Sequence, residues 1–238
     1  MRQDDHGHSD AEITARIANP PGKGVLRDAI YGAIDGTVTT FAIVAGVAGA
    51  GLSPFVIVVL GLANVIADGF SMAAANYSGA KAEQDNVRRV REIEERHIRE
   101  YPSGERREVS EILSRMGLSG DVLEQATEAI TRNKENWINL MMEGEYGLGG
   151  IDPHPLRAAT TTFLAFLVAG MVPLLPFLLG LQNAFAISVV STMAVFFCIG
   201  ALKSMWSLTA WWRSAGETMA IGGAAAALAF VVGSLFHV

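Results

Sequence analysis

Five stretches of the chain carry apolar residues almost without interruption, near residues 29–51, 54–78, 157–180, 184–206 and 216–237. Each reaches the roughly 20 residues that a helix needs to cross about 30 Å of hydrocarbon. Between the second and third runs the pattern changes. Lys81 to Glu100 is charged throughout and extends the second run as one long helix, which Pro102-Ser103-Gly104 breaks. Ser103 then serves as the cap of a helix over Glu105 to Met116, ended by Gly117. Helices over Asp121 to Arg132, with Asp121 as N-cap, and over Lys134 to Tyr146 follow. Gly147 to Pro155 is a turn-rich return to the apolar region. No strand-like alternation of any length occurs. The pattern predicts an all-α integral membrane protein of five transmembrane helices, with a helical domain inserted between helices 2 and 3. Its divisions are 1–24, a disordered tail; 25–80, helices 1 and 2; 81–155, the insert; and 156–238, helices 3 to 5.

Charge gives this arrangement a direction. The links Gly51-Leu52-Ser53-Pro54 and Gly180-Leu181-Gln182-Asn183 hold no positive charge. Lys23 and Arg27 precede the first span, Lys203 and Arg213 flank the fourth connection, and many Lys and Arg fill the insert. The positive-inside rule therefore puts the N-terminus, the insert and the fourth connection in the cytoplasm. Half of the 238 residues are hydrophobic and 18% are charged, with most of the charge between Lys81 and Arg157. The net charge of −6 thus describes one polar segment and gives no nucleic-acid surface. A single cysteine, Cys198, excludes an intrachain disulfide. The polar first 19 residues predict no cleavable signal peptide. Asp4, Asp5, His6 and His8 offer at most a weak metal grip in that tail.

The candidate chemistry begins inside the membrane. Asp35 sits within the first apolar run, and a carboxylate at that depth is costly unless it faces a polar path or a cation. On span two, Asn64, Asp68 and Met72 fall at successive i+4 positions and form one polar-plus-sulfur stripe. With Asp35 and Thr39 they make a cation path. The alternative is that Asn64 and Ser71 hydrogen-bond across helices while Gly61, Gly69 and Ala73 permit close packing. On span three, Pro173 and Pro176 predict a kink or an end near the outer face.

In the insert, Glu105, Glu108 and Glu111 share one helical face. Glu94 lies one turn from His97, and Met141 and Met142 lie one turn from Glu145. Carboxylates beside thioethers suit a borderline ion such as Fe²⁺ better than Mg²⁺ or Ca²⁺. The competing reading makes the acids surface ion pairs with neighbouring arginines, and Met141 and Met142 an ordinary core beside Trp137 and Leu140. No nucleophile–base pair, P-loop or dinucleotide fingerprint is present, so the sequence does not point to an enzyme.

Four segments together resemble the vacuolar iron transporter family. They are Asp35-Gly36-Thr37-Val38-Thr39-Thr40-Phe41-Ala42-Ile43-Val44-Ala45-Gly46, Gly61-Leu62-Ala63-Asn64 through Ser71-Met72 to Glu83, Trp137 to Leu148, and Val172-Pro173-Leu174-Leu175-Pro176. The resemblance implies a homodimer with its path between the subunits, a cytoplasmic metal-binding domain, and exchange of Fe²⁺, sometimes Mn²⁺, for protons. It implies that Asp35 and Met72 line the path, and that Glu94, Glu105, Glu108, Met141, Met142 and Glu145 are the domain's ligands. The chain departs from the family in two places. Asn64 replaces a glutamate found in eukaryotic members, a role that Asp68 one turn away is expected to take. His97 stands where a glutamate ligand is expected.

The resulting expectation is a proton-coupled antiporter that exports Fe²⁺ from the cytoplasm, without a prosthetic group. Its partners are divalent ions, protons, the lipid bilayer and a second copy of the chain. Its place is the inner membrane of a bacterium, or a vacuolar-type membrane in a eukaryote. The rivals are a transporter of Mn²⁺ or another divalent ion, and an iron-sensing membrane scaffold that transports nothing.

Overall fold

A computed structural model describes residues 8–18, 25–150, 153–205 and 207–236. All regular structure among them is helical. In chain order the helices are α1 (Asp10–Ala18), α2 (Val25–Gly49), α3 (Pro54–Glu100), α4 (Pro102–Arg115), α5 (Gly120–Thr131), α6 (Lys134–Gly144), α7 (Pro155–Met171), α8 (Leu175–Leu178), α9 (Ala184–Ser204) and α10 (Trp211–Leu235). A 3₁₀ turn, Val172–Leu174, joins α7 to α8. The five segments expected to span a membrane are long and apolar enough to do so: 25–49, the first half of α3, 155–178, 184–204 and 211–235. The chain is a multi-pass membrane protein. It divides into one compact unit of residues 1–76 with 156–238, and a second of residues 77–155.

Small residues set the spacing in the first unit. A Cβ on Gly32 would stand 2.3 Å from the carbonyl oxygen of Thr162, and one on Gly233 would stand 2.0 Å from that of Gly46. Backbones that close leave no room for a side chain, so glycine fixes the α2–α7 and α2–α10 contacts. Gly61 lies against Leu174 and Gly69 against Phe166, so the packing role weighed for these glycines is real. Phe41, Val44, Val47, Ile57, Val65 and Leu174 form the buried core.

The second unit is built from amphipathic helices. Val109, Leu113, Trp137 and Met141 form one buried cluster, and Val90, Ile138 and Met142 form another. The two stripes that feed these clusters each contain a glutamate. On α3 the inward positions run Val87, Val90, Glu94, Ile98, and on α4 they run Glu105, Val109, Leu113. Helical geometry gives those two carboxylates no way to avoid the core.

The boundaries differ from expectation in physically simple ways. Pro102 opens α4 as its first helical residue, where its missing N–H costs nothing, so Ser103 lies inside the helix and Tyr101 is the N-cap. Ser119, not Asp121, precedes α5, and Asp121 sits in the first turn where the helix dipole favours an acid. Helix α6 ends at Gly144, before Tyr146. The tail read as disordered contains α1, started by a capping box: the Ser9 hydroxyl accepts from the Glu12 N–H while the Glu12 carboxylate accepts from Ser9. Asp4, Asp5 and His6 lie outside the described residues.

Candidate metal-transport sites

The stripe on α3 faces a matching stripe on α2, rung by rung. Asn64 donates to the Thr39 hydroxyl at 3.2 Å and to that of Thr40 at 3.4 Å. One turn further, Asp68 is the electrostatic neighbour of Asp35, and both are half-buried. Neither carboxylate has a cation or a side-chain hydrogen bond among the described residues. Met72, also half-buried, follows on the same face. Asn64 therefore makes the interhelical hydrogen bonds of the packing reading, while the two acids stay unsatisfied beside it.

A third rung was not singled out in the sequence. Asp28 is 4% exposed, and its carboxylate accepts from Asn76 at 3.1 Å. Asn76 also donates to the Thr162 hydroxyl at 2.7 Å, so one amide ties α2, α3 and α7 together. The signal was available: Asn76 continues the series Asn64, Asp68, Met72 by another four residues, and Asp28 precedes Asp35 by seven, two helical turns.

The second unit gathers its acids differently. Glu94 is fully buried and Glu105 nearly so, and their carboxyl groups approach each other. One oxygen of each, Oε2, has no hydrogen-bond partner. His97 Nδ1 lies 3.4 Å from Glu105 Oε1. Burial, with Glu94, Glu108 and Glu145 nearby, pushes the Glu105 carboxyl up to about 7. Glu145 is also pushed up, first by burial and then by Glu94 and Glu108. Glu108 and Glu145 line an open cleft of about 460 Å³ with Glu111, Ile112, Arg115, Met116 and Gly144.

The ion-pair reading holds for other acids. Glu95 pairs with Arg91 and Lys134, Glu135 with Arg91, Glu128 with Arg132, and Glu111 with Arg115. The Lys134 ammonium accordingly holds Glu95 below the usual carboxylate range. Among the described residues no Lys or Arg pairs with Glu94, Glu105, Glu108 or Glu145. Met141 and Met142 lie in the two apolar clusters of the unit, with Met141 fully buried. Among the described residues, no three His, Cys, Asp or Glu side chains already stand close enough together to hold an ion. Glu94 and Glu105 are thus brought together, His97 touches one of them, and Glu108 and Glu145 stand at the cleft beside them.

Sequence comparison adds relatives. The model of the VIT family matches residues 26–234. The protein named vacuolar iron transporter 1 of Arabidopsis thaliana is 35% identical over 209 residues, 87% of this chain and 84% of its own. That of Eucalyptus grandis is 33% identical over 226 residues, 94% and 88% of the two chains. The vacuolar iron transporter of Toxoplasma gondii is 32% identical over 224 residues, 89% and 74%.

Proposed function

The chain belongs to the vacuolar iron transporter (VIT) family, and from that premise we propose that it is a proton-coupled antiporter that carries Fe²⁺ out of the cytoplasm. One observation carries the reading: Asp35 and Asp68 stand together on membrane-spanning helices, with no cationic side chain paired to either among the described residues. Two acids so placed are neutralised by protons or by a divalent ion, and not by both at once. That exclusivity is the requirement for exchange. Met72 supplies a soft donor beside them, while Asn64, held by Thr39 and Thr40, shapes the neighbouring turn. The half-buried stripe is completed by a second copy of the chain, and the N-terminus and the insert lie in the cytoplasm.

The insert collects the ion. Glu94 and Glu105 present unpartnered buried oxygens, with His97, Glu108 and Glu145 beside them. Such oxygens are expensive to leave unsatisfied, and a divalent cation satisfies them. The donors are mostly oxygens, with Met141 and Met142 as the softer ones, and Mn²⁺ is a second cargo. The membrane is the inner membrane if the source is a bacterium and a vacuolar-type membrane if it is a eukaryote. In none of these steps is a bond made or broken in a substrate.

Anaerobic Fe²⁺ uptake into proteoliposomes under a proton gradient tests the reading. The wild type should accumulate Fe²⁺ while protons move the opposite way, and Asp35→Ala should not. Wild-type uptake by Asp35→Ala would refute the assigned role, and Fe²⁺ binding by the wild type with no flux would favour a sensing scaffold.

A further inference from the structure

Tyr146 lies just beyond α6, where the chain turns sharply. Gly147 adopts a left-handed conformation, φ 66°. Its N–H bonds the Glu143 carbonyl at 3.2 Å, and the Leu148 N–H bonds the Met142 carbonyl at 2.8 Å. The first is the single bond of an αL closure, and the second carries Leu148 into the Val90, Ile138, Met142 cluster. Only glycine takes that backbone shape without strain, so the residue before it is delivered to one place.

There the Tyr146 hydroxyl donates to Glu94 Oε1 at 3.0 Å. It is also within hydrogen-bonding reach of Glu145. Burial and the bond to Glu94 push the phenol up, so it stays a donor throughout the physiological range. The other polar neighbours of Glu94 are the acids Glu105 and Glu145, so Tyr146 is the hydroxyl donor that holds it. With Oε1 held, the free Oε2 is the atom it offers to a ligand.

We infer that Tyr146 is the positioning residue of the insert's metal cluster, fixing Glu94 by one oxygen so that the other is presented to a divalent ion. The inference rests on the proposed role of Glu94, and it assigns to Tyr146 no contact with the ion. A hydrogen bond of this kind, from outside the ligand shell to a ligand, typically changes metal affinity by about 10- to 100-fold. The phenol ring itself is partly exposed, so removing only its oxygen leaves the packing of the unit intact.

The test is an anaerobic Co²⁺ titration of the full-length protein carrying Asp35→Ala and Asp68→Ala, so that the membrane acids do not contribute. Tyr146→Phe should weaken Co²⁺ about 10- to 100-fold and shift its visible d–d bands, with a lower metal-free melting temperature but a protein that still folds. Co²⁺ should also perturb a tyrosine ultraviolet signal that Tyr146→Phe lacks, a readout that does not depend on affinity. If Tyr146→Phe keeps wild-type affinity and bands while Glu94→Gln loses them, the positioning role is wrong and the cluster stands. If Glu94→Gln also binds Co²⁺ as the wild type does, the cluster assignment has failed, and the role of Tyr146 with it.

Discussion

The two carboxylate pairs of this protein are held in opposite ways. Asp35 and Asp68, on membrane-spanning helices, are half-buried and have no side-chain hydrogen bond or ion pair among the described residues. Glu94 and Glu105, in the second unit, are buried, and each has one oxygen engaged, by Tyr146 or by His97, and one free. An acid with no fixed partner exchanges what neutralises it at little structural cost. An acid clamped by one oxygen has a defined direction and a defined vacancy. The first arrangement suits passage and the second suits capture, although both begin as two acids side by side.

The largest expected effect breaks the membrane pair. Asp68→Ala should lower proton-driven Fe²⁺ flux by about 100-fold if the pair acts as a unit, roughly 2.7 kcal/mol in the barrier. A loss seen only in Asp35→Ala would confine the exchange to one acid. Next comes the pH response of the captured pair. The Glu105 carboxyl lies at about 7 in the folded protein against an ordinary value of 4.5, so the folded state keeps its proton longer than the unfolded chain. Its penalty is absent below about 4.5, grows as pH rises to about 7, and is then complete. Metal-free protein should lose about 1–3 kcal/mol of stability over that window, and Glu105→Gln should flatten the slope in denaturant melts at several pH values.

Asn76→Ala tests the third rung and should cost about 1–3 kcal/mol in stability, because it strips a buried carboxylate of its amide partner. Asp28→Asn on top of it should recover part of the loss in the same melting assay. Replacing Gly147 by alanine should cost about 1 kcal/mol through its left-handed backbone. The smallest effect belongs to a paired acid. Glu135→Ala, which removes the exposed contact to Arg91, should change stability by about 0.5 kcal/mol or less and leave Co²⁺ binding untouched.

Most of the fold was legible because apolar runs of membrane length and a polar insert leave few arrangements. The candidate sites were legible unevenly. Spacing placed Asp68 and Met72 on one face with Asn64, because a helix repeats whether or not it is packed. It could not separate Glu105 from Glu111, which share a face by spacing although one is buried and the other pairs with Arg115. The distinguishing sign was that Glu105 continues the stripe of Val109 and Leu113. Asp28 was passed over because it falls at the edge of the first apolar run, and Tyr146 because its place depends on a turn that starts at Gly147. Glycine at that point, followed by an apolar residue, was the only local hint.

The break at Pro173 has a consequence for how the protein is made. The Pro173 carbonyl, freed from helical bonding, accepts from the Ser188 hydroxyl at 2.7 Å, both groups being buried. Ser188 lies on α9, which leaves the ribosome after α7. Until that serine arrives, the third span carries an unmet acceptor into lipid, where such groups cost several kcal/mol. Insertion of the third and fourth spans should therefore be coupled, and Ser188→Ala should show itself during biogenesis, as slowed membrane integration, before it shows in the finished protein.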